Sequence, residues 1–406
     1  MNSSSLTEPS HRNARLLSGL QALGGANPAV VVALGGLIGQ QLATNPEHAT
    51  IPVSLFNLGL ALGILPAAFL MRKLGRRQAY FIGSALGIMG GLTAFAGITQ
   101  SSFLLFCLGT ILAGFYSSYV QNYRFAAADS VPAAWRAKAI SGVMLGGLIA
   151  AVLATQIILH TRNLWPNTPF AATFLAQALL AALAIPLIYF LRNDLISTPT
   201  VTNTSQTQAE RPLLIILKNP RFLIAVVAGM VSFSLMSFMM TASPLAMVNA
   251  GHSIKDSTLG VQWHILAMFA PSFFTSKLIE RFGKIAVTLS GIILLGAASA
   301  VALSGLSVAH FWLSLILLGV GWNFGFIGAT TLVTDCYRPA ETSKVQAFND
   351  FLIFGSVALS SFFSGSLLAQ YGWISLNIWS FPILVLTGLA LLLHWHWDRL
   401  NNQTRS

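Results

Sequence analysis

Arg72-Lys73-Leu74-Gly75-Arg76-Arg77 and Glu280-Arg281-Phe282-Gly283-Lys284 are two short basic stretches, each closing an apolar run, and their glycines lie 208 residues apart. A second landmark repeats at nearly the same distance. Asp129, with Pro132, Arg136 and Lys138 beyond it, stands 206 residues before Asp335, with Pro339 and Lys344 beyond it, and Lys138 and Lys344 are also 206 apart. Two independent landmarks at one spacing describe a unit used twice, and such a repeat governs the architecture before any motif does.

The apolar runs between the landmarks say what that unit is. A window of about 19 residues places spans at 16–42, 50–71, 78–98, 103–127, 138–160, 170–191, 222–248, 257–279, 284–304, 309–333, 344–368 and 373–394. Six spans per copy is an even number, so both copies enter the bilayer from the same side and are related by an axis along the membrane normal. The fold expected is an all-α membrane protein of twelve transmembrane helices in two six-helix bundles. Its domains are 1–192, a cytoplasmic linker 193–211 rich in Ser, Thr, Asn and Gln, and 212–406.

Composition agrees. Of 406 residues 55% are hydrophobic and 8% charged, against about 25% charged in soluble domains, which excludes a large soluble catalytic domain. The net charge of +11 would suit a nucleic-acid binder only if the cations shared one solvated face. Instead, nineteen of the 22 Lys and Arg fall in loops and termini of one side of the twelve-span topology; Arg162 and Lys255 fall on the other, and Arg124 within span four. Cationic loops resist translocation, so both termini are expected in the cytoplasm of a cytoplasmic (inner) membrane, with lipid and no nucleic acid as the surrounding partner. Cys107 and Cys336 form no disulfide framework or metal spacing. The first apolar run is too long for a signal-peptide core and reads as a retained helix.

The loop after span two resembles the G-x-x-x-D-R-x-G-R-R signature of the major facilitator superfamily, with Gly75, Arg76 and Arg77 matching its second half and Glu280, Arg281, Gly283 and Lys284 echoing it. Span count, linker and duplication extend the resemblance over essentially the whole chain. It implies a monomeric secondary transporter working by alternating access, without a cofactor, and a gating role for this motif together with Asp129 and Asp335. Two departures stand out: Ala68 replaces the usual first glycine and Arg72 the usual acid. Span four has Gly109 where a signature Arg is usual, and span five has Gly142, Gly146 and Gly147 without the proline typical of drug/proton antiporters. These departures tilt the direction toward uptake, with a drug or metabolite efflux carrier as the alternative. No phosphate-binding loop or zincin motif points to ATP-driven transport or hydrolytic chemistry, and paired acids at membrane depth are nearly absent; a non-transporting sensor or an intramembrane enzyme is the remaining alternative.

Ionisable groups at membrane depth mark functional sites by default. Arg124 with Gln121 and Tyr123 in span four is a pathway candidate, or its guanidinium snorkels to the headgroups; an Arg76–Asp129 or Arg124–Asp129 ion pair would latch helix ends. His264 beside Gln262 in span eight suits a proton-linked step, as does Asp350 in span eleven, against structural readings of both. Asn323 in span ten and Gln21 in span one offer amides to a solute, with interhelical hydrogen bonding as the bland counterpart. With so few fixed charges, a neutral, amphipathic or aromatic organic solute is expected, symported with a proton.

Overall fold

The computed structural model describes residues 8–132, 135–192, 211–338 and 341–403. The linker expected at 193–211 therefore lies outside the described residues except for Arg211, as does Pro339. The described residues form helices joined by short turns, with no strand among them. They group into two compact units: the residues up to 192 together with Ser257–Ile265, and those from 211 to Asp256 and from Leu266 onward.

In the first unit, α1 (Glu8–Gly24) and α2 (Ala26–Leu42) make up span one, broken at Gly25. Then come α3 (Ile51–Leu74) and α4 (Arg76–Thr99). Span four is α5 (Phe103–Val120) and α6 (Tyr123–Asp129), broken at Gln121-Asn122, and α7 (Arg136–Thr161) and α8 (Ala171–Tyr189) complete the unit. Helix α4 packs on α5 and α8, α5 also on α3, and α7 on α1. Within lipid, helices gain little from burying apolar surface against one another, so small residues and interhelical hydrogen bonds hold them. Both devices are present. A Cβ on Gly91 of α4 would lie 2.8 Å from the Ala178 backbone nitrogen, so α4 and α8 touch backbone to backbone. Asn27, 1% exposed, donates to Ala113 O at 2.9 Å and Ser117 Oγ at 2.8 Å, and accepts from Gln177 Nε2, which ties α2, α5 and α8 together.

The second unit begins with a short α9 (Leu213–Leu217) and α10 (Pro220–Asn249). Span eight departs from the expected single helix. It is α11 (Ile254–Phe269), whose residues 257–265 group with the first unit, and α12 (Ser272–Phe282), interrupted at Ala270-Pro271, because proline cannot donate the next ladder hydrogen bond. Next follow α13 (Lys284–Ser304), α14 (Val308–Thr334), α15 (Thr342–Ile378) and α16 (Ser380–Gln403). Spans eleven and twelve form one helical run bent at Gly372, whose φ of 74° no helix contains. Hydroxyls stitch α10 to α15 through Ser234–Ser356 (2.8 Å), Thr241–Ser361 (3.1 Å) and Ser364 Oγ to Phe238 O.

Ten described helical runs are long and apolar enough to cross a membrane. The difference from twelve has two causes: the halves of span eight are each too short to qualify, and Lys344–Trp397 counts as one run of 54 residues. Large apolar side chains lie open on these helices, Leu104 80% exposed and Leu393 71%, a distribution suited to hydrocarbon.

Candidate functional site

The turn after α3 and the turn after α12 have the same shape. Gly75 sits at φ 83°, ψ 155° and Gly283 at φ 87°, ψ 159°, a backbone region that is essentially glycine's alone. Each turn delivers a cation from the first position of the next helix onto an aspartate at the end of another. Arg76 Nη2 meets Asp129 Oδ2 at 2.7 Å, and Lys284 Nζ meets Asp335 Oδ1 at 2.5 Å. The expected Arg76–Asp129 ion pair is present.

The two ion pairs differ in their surroundings. Arg76 is 7% exposed, at the edge of the cluster containing Tyr80, Tyr119 and Tyr123, and Tyr80 Oη donates to Asn122 Oδ1 at 2.8 Å, in the break of span four. Asp335 is shared with a second cation, Arg221 Nη2 at 3.0 Å, and all three side chains are about one-third exposed. The remaining motif residues frame these pairs: Arg77 lies over the Tyr189 ring at 5.2 Å, Arg281 over Phe282 at 5.2 Å, and Glu280 is exposed.

The in-span candidates fall into distinct settings. Gln121 is exposed at the break between α5 and α6; Tyr123 is fully buried edge-on to Tyr80, ring centroids 4.9 Å apart; Arg124 is half-buried with its guanidinium 4.8 Å from the Phe125 centroid. Gln21 is half-buried on α1 and its carbonyl accepts from Gly25 N at 2.8 Å. On α11, His264 is fully buried and Gln262 half-buried. Asp350 on α15 is half-buried and accepts from Asn349 Nδ2 at 3.2 Å. Asn323 has no polar atom to spare. Its amide donates to Met268 O and to Ser272 Oγ, both at 2.7 Å, and accepts from Thr275 Oγ1 at 2.6 Å. It therefore caps the broken ends of α11 and α12 from α14, the interhelical hydrogen bonding given above as its counterpart reading.

Two polar joints escaped the sequence reading. Glu341, its side chain 0% exposed, receives Arg211 Nε at 2.8 Å and Nη2 at 2.7 Å, and also the backbone N–H groups of Arg211 and Arg338, both at 2.9 Å. The Arg211 guanidinium, followed by these backbone donors, holds the Glu341 carboxyl well below the usual carboxylate range. At the other end of the linker, Asn13 exchanges two hydrogen bonds of 3.1 Å with the backbone of Arg192. An acid in a basic loop, in a chain with only 11 acids, was the available signal for Glu341.

Comparison with known proteins accounts for the paired architecture. The description Major Facilitator Superfamily matches residues 16–353, and the chain belongs to this family of membrane transporters. It is 53% identical over 384 residues to the riboflavin transporter RfnT of Brucella anthropi, with 94% of this chain and 95% of that protein covered. It is 30% identical over 371 residues to the uncharacterized MFS-type transporter YdeG of Bacillus subtilis, covering 88% and 86%. Among solved structures, the nucleoside transporter NupG superposes with a TM-score of 0.71 at 13% identity, covering 94% of this chain and 98% of that one, a likeness of fold. The chain is thus a multi-pass membrane transporter of a small-molecule solute with the twelve-helix fold, and not an enzyme.

Proposed function

We propose that this transporter carries riboflavin, or a flavin-like planar solute, into the cell across the cytoplasmic membrane, driven by proton symport through alternating access. The observation that carries this reading is the 53% identity to a riboflavin transporter across almost the full length of both chains. A chain with only 8% charged residues, half of whose in-span candidates are amides, supports a neutral heteroaromatic solute.

Within this reading the two bundles are 1–192 and 212–406, both termini are cytoplasmic, and the working unit is a monomer. The Gly75-Arg76-Arg77 and Glu280-Arg281-Gly283-Lys284 turns with Asp129 and Asp335 act as gate latches. Gln21, Gln121, Tyr123, Arg124 and Gln262 contact solute or gate, and Asn323 supports them by holding span eight. His264 and Asp350 are the proton carriers: coupling needs a group whose proton affinity differs between access states, and imidazole needs the smallest perturbation to titrate near neutrality.

Riboflavin flux into proteoliposomes under an imposed proton gradient tests the reading. Accumulation is expected, abolished by an uncoupler, with His264→Ala and Asp350→Asn reducing accumulation more than downhill exchange. Absence of riboflavin flux overturns the substrate; accumulation indifferent to the uncoupler overturns the coupling.

A further inference from the structure

The stretch Gly321-Trp322-Asn323-Phe324-Gly325-Phe326 of α14 does three things at once. Asn323 anchors it to the break of span eight. Gly325 lets α14 close on α10, since a Cβ there would lie 2.4 Å from Ser232 Oγ. Trp322 and Phe326, one turn apart, then present nearly parallel rings with an interplanar angle of 14° and centroids 5.3 Å apart. Phe233, the residue after Ser232, meets Trp322 at 5.3 Å, Phe326 at 5.1 Å and Phe354 of α15 at 5.6 Å. Among the described residues it is the ring that touches three others.

Two features set this cluster apart from ordinary core packing. Phe233, Phe326 and Phe354 are each only half-buried, so the cluster keeps ring surface uncovered. The indole Nε1–H of Trp322, a residue 8% exposed, has no hydrogen-bond partner among the described residues. An indole nitrogen only donates, and a buried donor left without an acceptor costs as much as losing a made hydrogen bond. A rigid aromatic platform with an unanswered donor at its centre is complementary to a flat ring that carries carbonyl acceptors on one edge.

We propose that Phe233, Trp322, Phe326 and Phe354 form the subsite that stacks the heteroaromatic ring of the solute, with Trp322 Nε1 donating to a ring carbonyl and so determining specificity. This inference rests on the flavin reading above and assigns the ring of that solute, and not its polyol chain, to the second unit. Half-covered edge-to-face rings accept an offset-stacked partner without rebuilding their own contacts. A site built around a donor also discriminates against rings lacking the matching acceptor.

Equilibrium binding to the purified full-length protein, read by quenching of riboflavin fluorescence, tests the assignment with riboflavin, lumiflavin (the ring without the ribityl chain) and ribitol. In the parent protein lumiflavin is expected to displace riboflavin, and ribitol is not. Phe233→Leu removes a stacking face and is expected to weaken riboflavin and lumiflavin binding alike, by about tenfold or more. Trp322→Phe keeps the ring and loses the N–H, and about a tenfold loss is expected, again shared by both ligands. Parental binding of riboflavin without displacement by lumiflavin overturns the subsite and leaves the flavin reading standing; so do both variants binding as the parent does. A variant that fails to fold leaves the displacement result on the parent decisive. A parent protein that binds no riboflavin overturns the flavin reading and this assignment with it.

Discussion

The latch of the first unit and the latch of the second share a backbone and differ in energetics. Gly75 and Gly283 agree within a few degrees in both dihedral angles, and both turns hand a cation to an aspartate. Arg76 is buried and Asp129 three-quarters so; Asp335, Lys284 and Arg221 share an open site of one acid and two bases. A desolvated pair is costly to break because the surviving charge is left in a poor medium. An exposed pair is screened by water and salt and contributes little. Duplication has thus preserved the turn while leaving one ion pair buried and the other exposed and shared between two cations.

The largest effect is expected of Arg76→Leu, which removes a buried ion-pair partner of Asp129. A destabilisation of about 3 kcal/mol, the low end for splitting a buried pair, is expected as a lowered melting temperature in detergent, together with lost transport. A shift as small as that of the corresponding Lys284→Leu would show that burial does not separate the two latches.

The glycines come next, and here the halves should agree. Gly75→Ala and Gly283→Ala each force a side chain into glycine-only backbone, at a cost of about 1–3 kcal/mol. A Cβ at Gly283 meets nothing within 4 Å, so at that turn the cost is conformational strain alone. Equal losses by chemical denaturation would mark the turn as the duplicated element. A tolerated Gly283→Ala would limit it to the first half.

Lys284→Gln should cost under about 1 kcal/mol, because Arg221 remains on Asp335 and exposed pairs are worth little. Removing both cations should cost more than the two single changes together, and raising ionic strength should shrink the effect. A salt-independent loss from Lys284→Gln alone would contradict the redundancy.

A further effect is conditional on pH. The native Glu341 carboxyl titrates below its ordinary value, so the unfolded chain binds this proton more readily and the contribution is complete above about pH 4.3. It is lost as pH falls from there through the lower native value. The melting-temperature gap between parent and Glu341→Gln should therefore be constant near neutrality and close in acid. A gap that widens on acidification would mean that the Arg211 clamp does not hold the charged form.

How much of this was legible varies with the range of the interaction. Spans and repeat were open to reading because hydropathy and spacing are properties of consecutive residues. The Arg76–Asp129 pair was also within reach, since the duplicated landmarks bring two helix ends into correspondence. For Asn323 the sequence offered both a solute contact and an interhelical hydrogen bond, because the chain alone does not say that Met268 O, before the break at Ala270-Pro271, takes its amide; Pro271 was the clue.

By itself the sequence determined the class: a duplicated six-span membrane transporter, since the need to match a bilayer and to keep cations on one side acts on every residue in order. Only the tertiary structure decided which acid meets which base, that Glu341 grips Arg211 across 130 positions, and that Phe233 and Phe354 join Trp322 and Phe326. The one-turn spacing of Trp322 and Phe326 puts them on the same helix face. Phe233 is brought in by the closing of α10 on α14 at Ser232 and Gly325 and Phe354 by α15 on α10, where Ser234 meets Ser356, contacts made in three dimensions and carried by no local pattern.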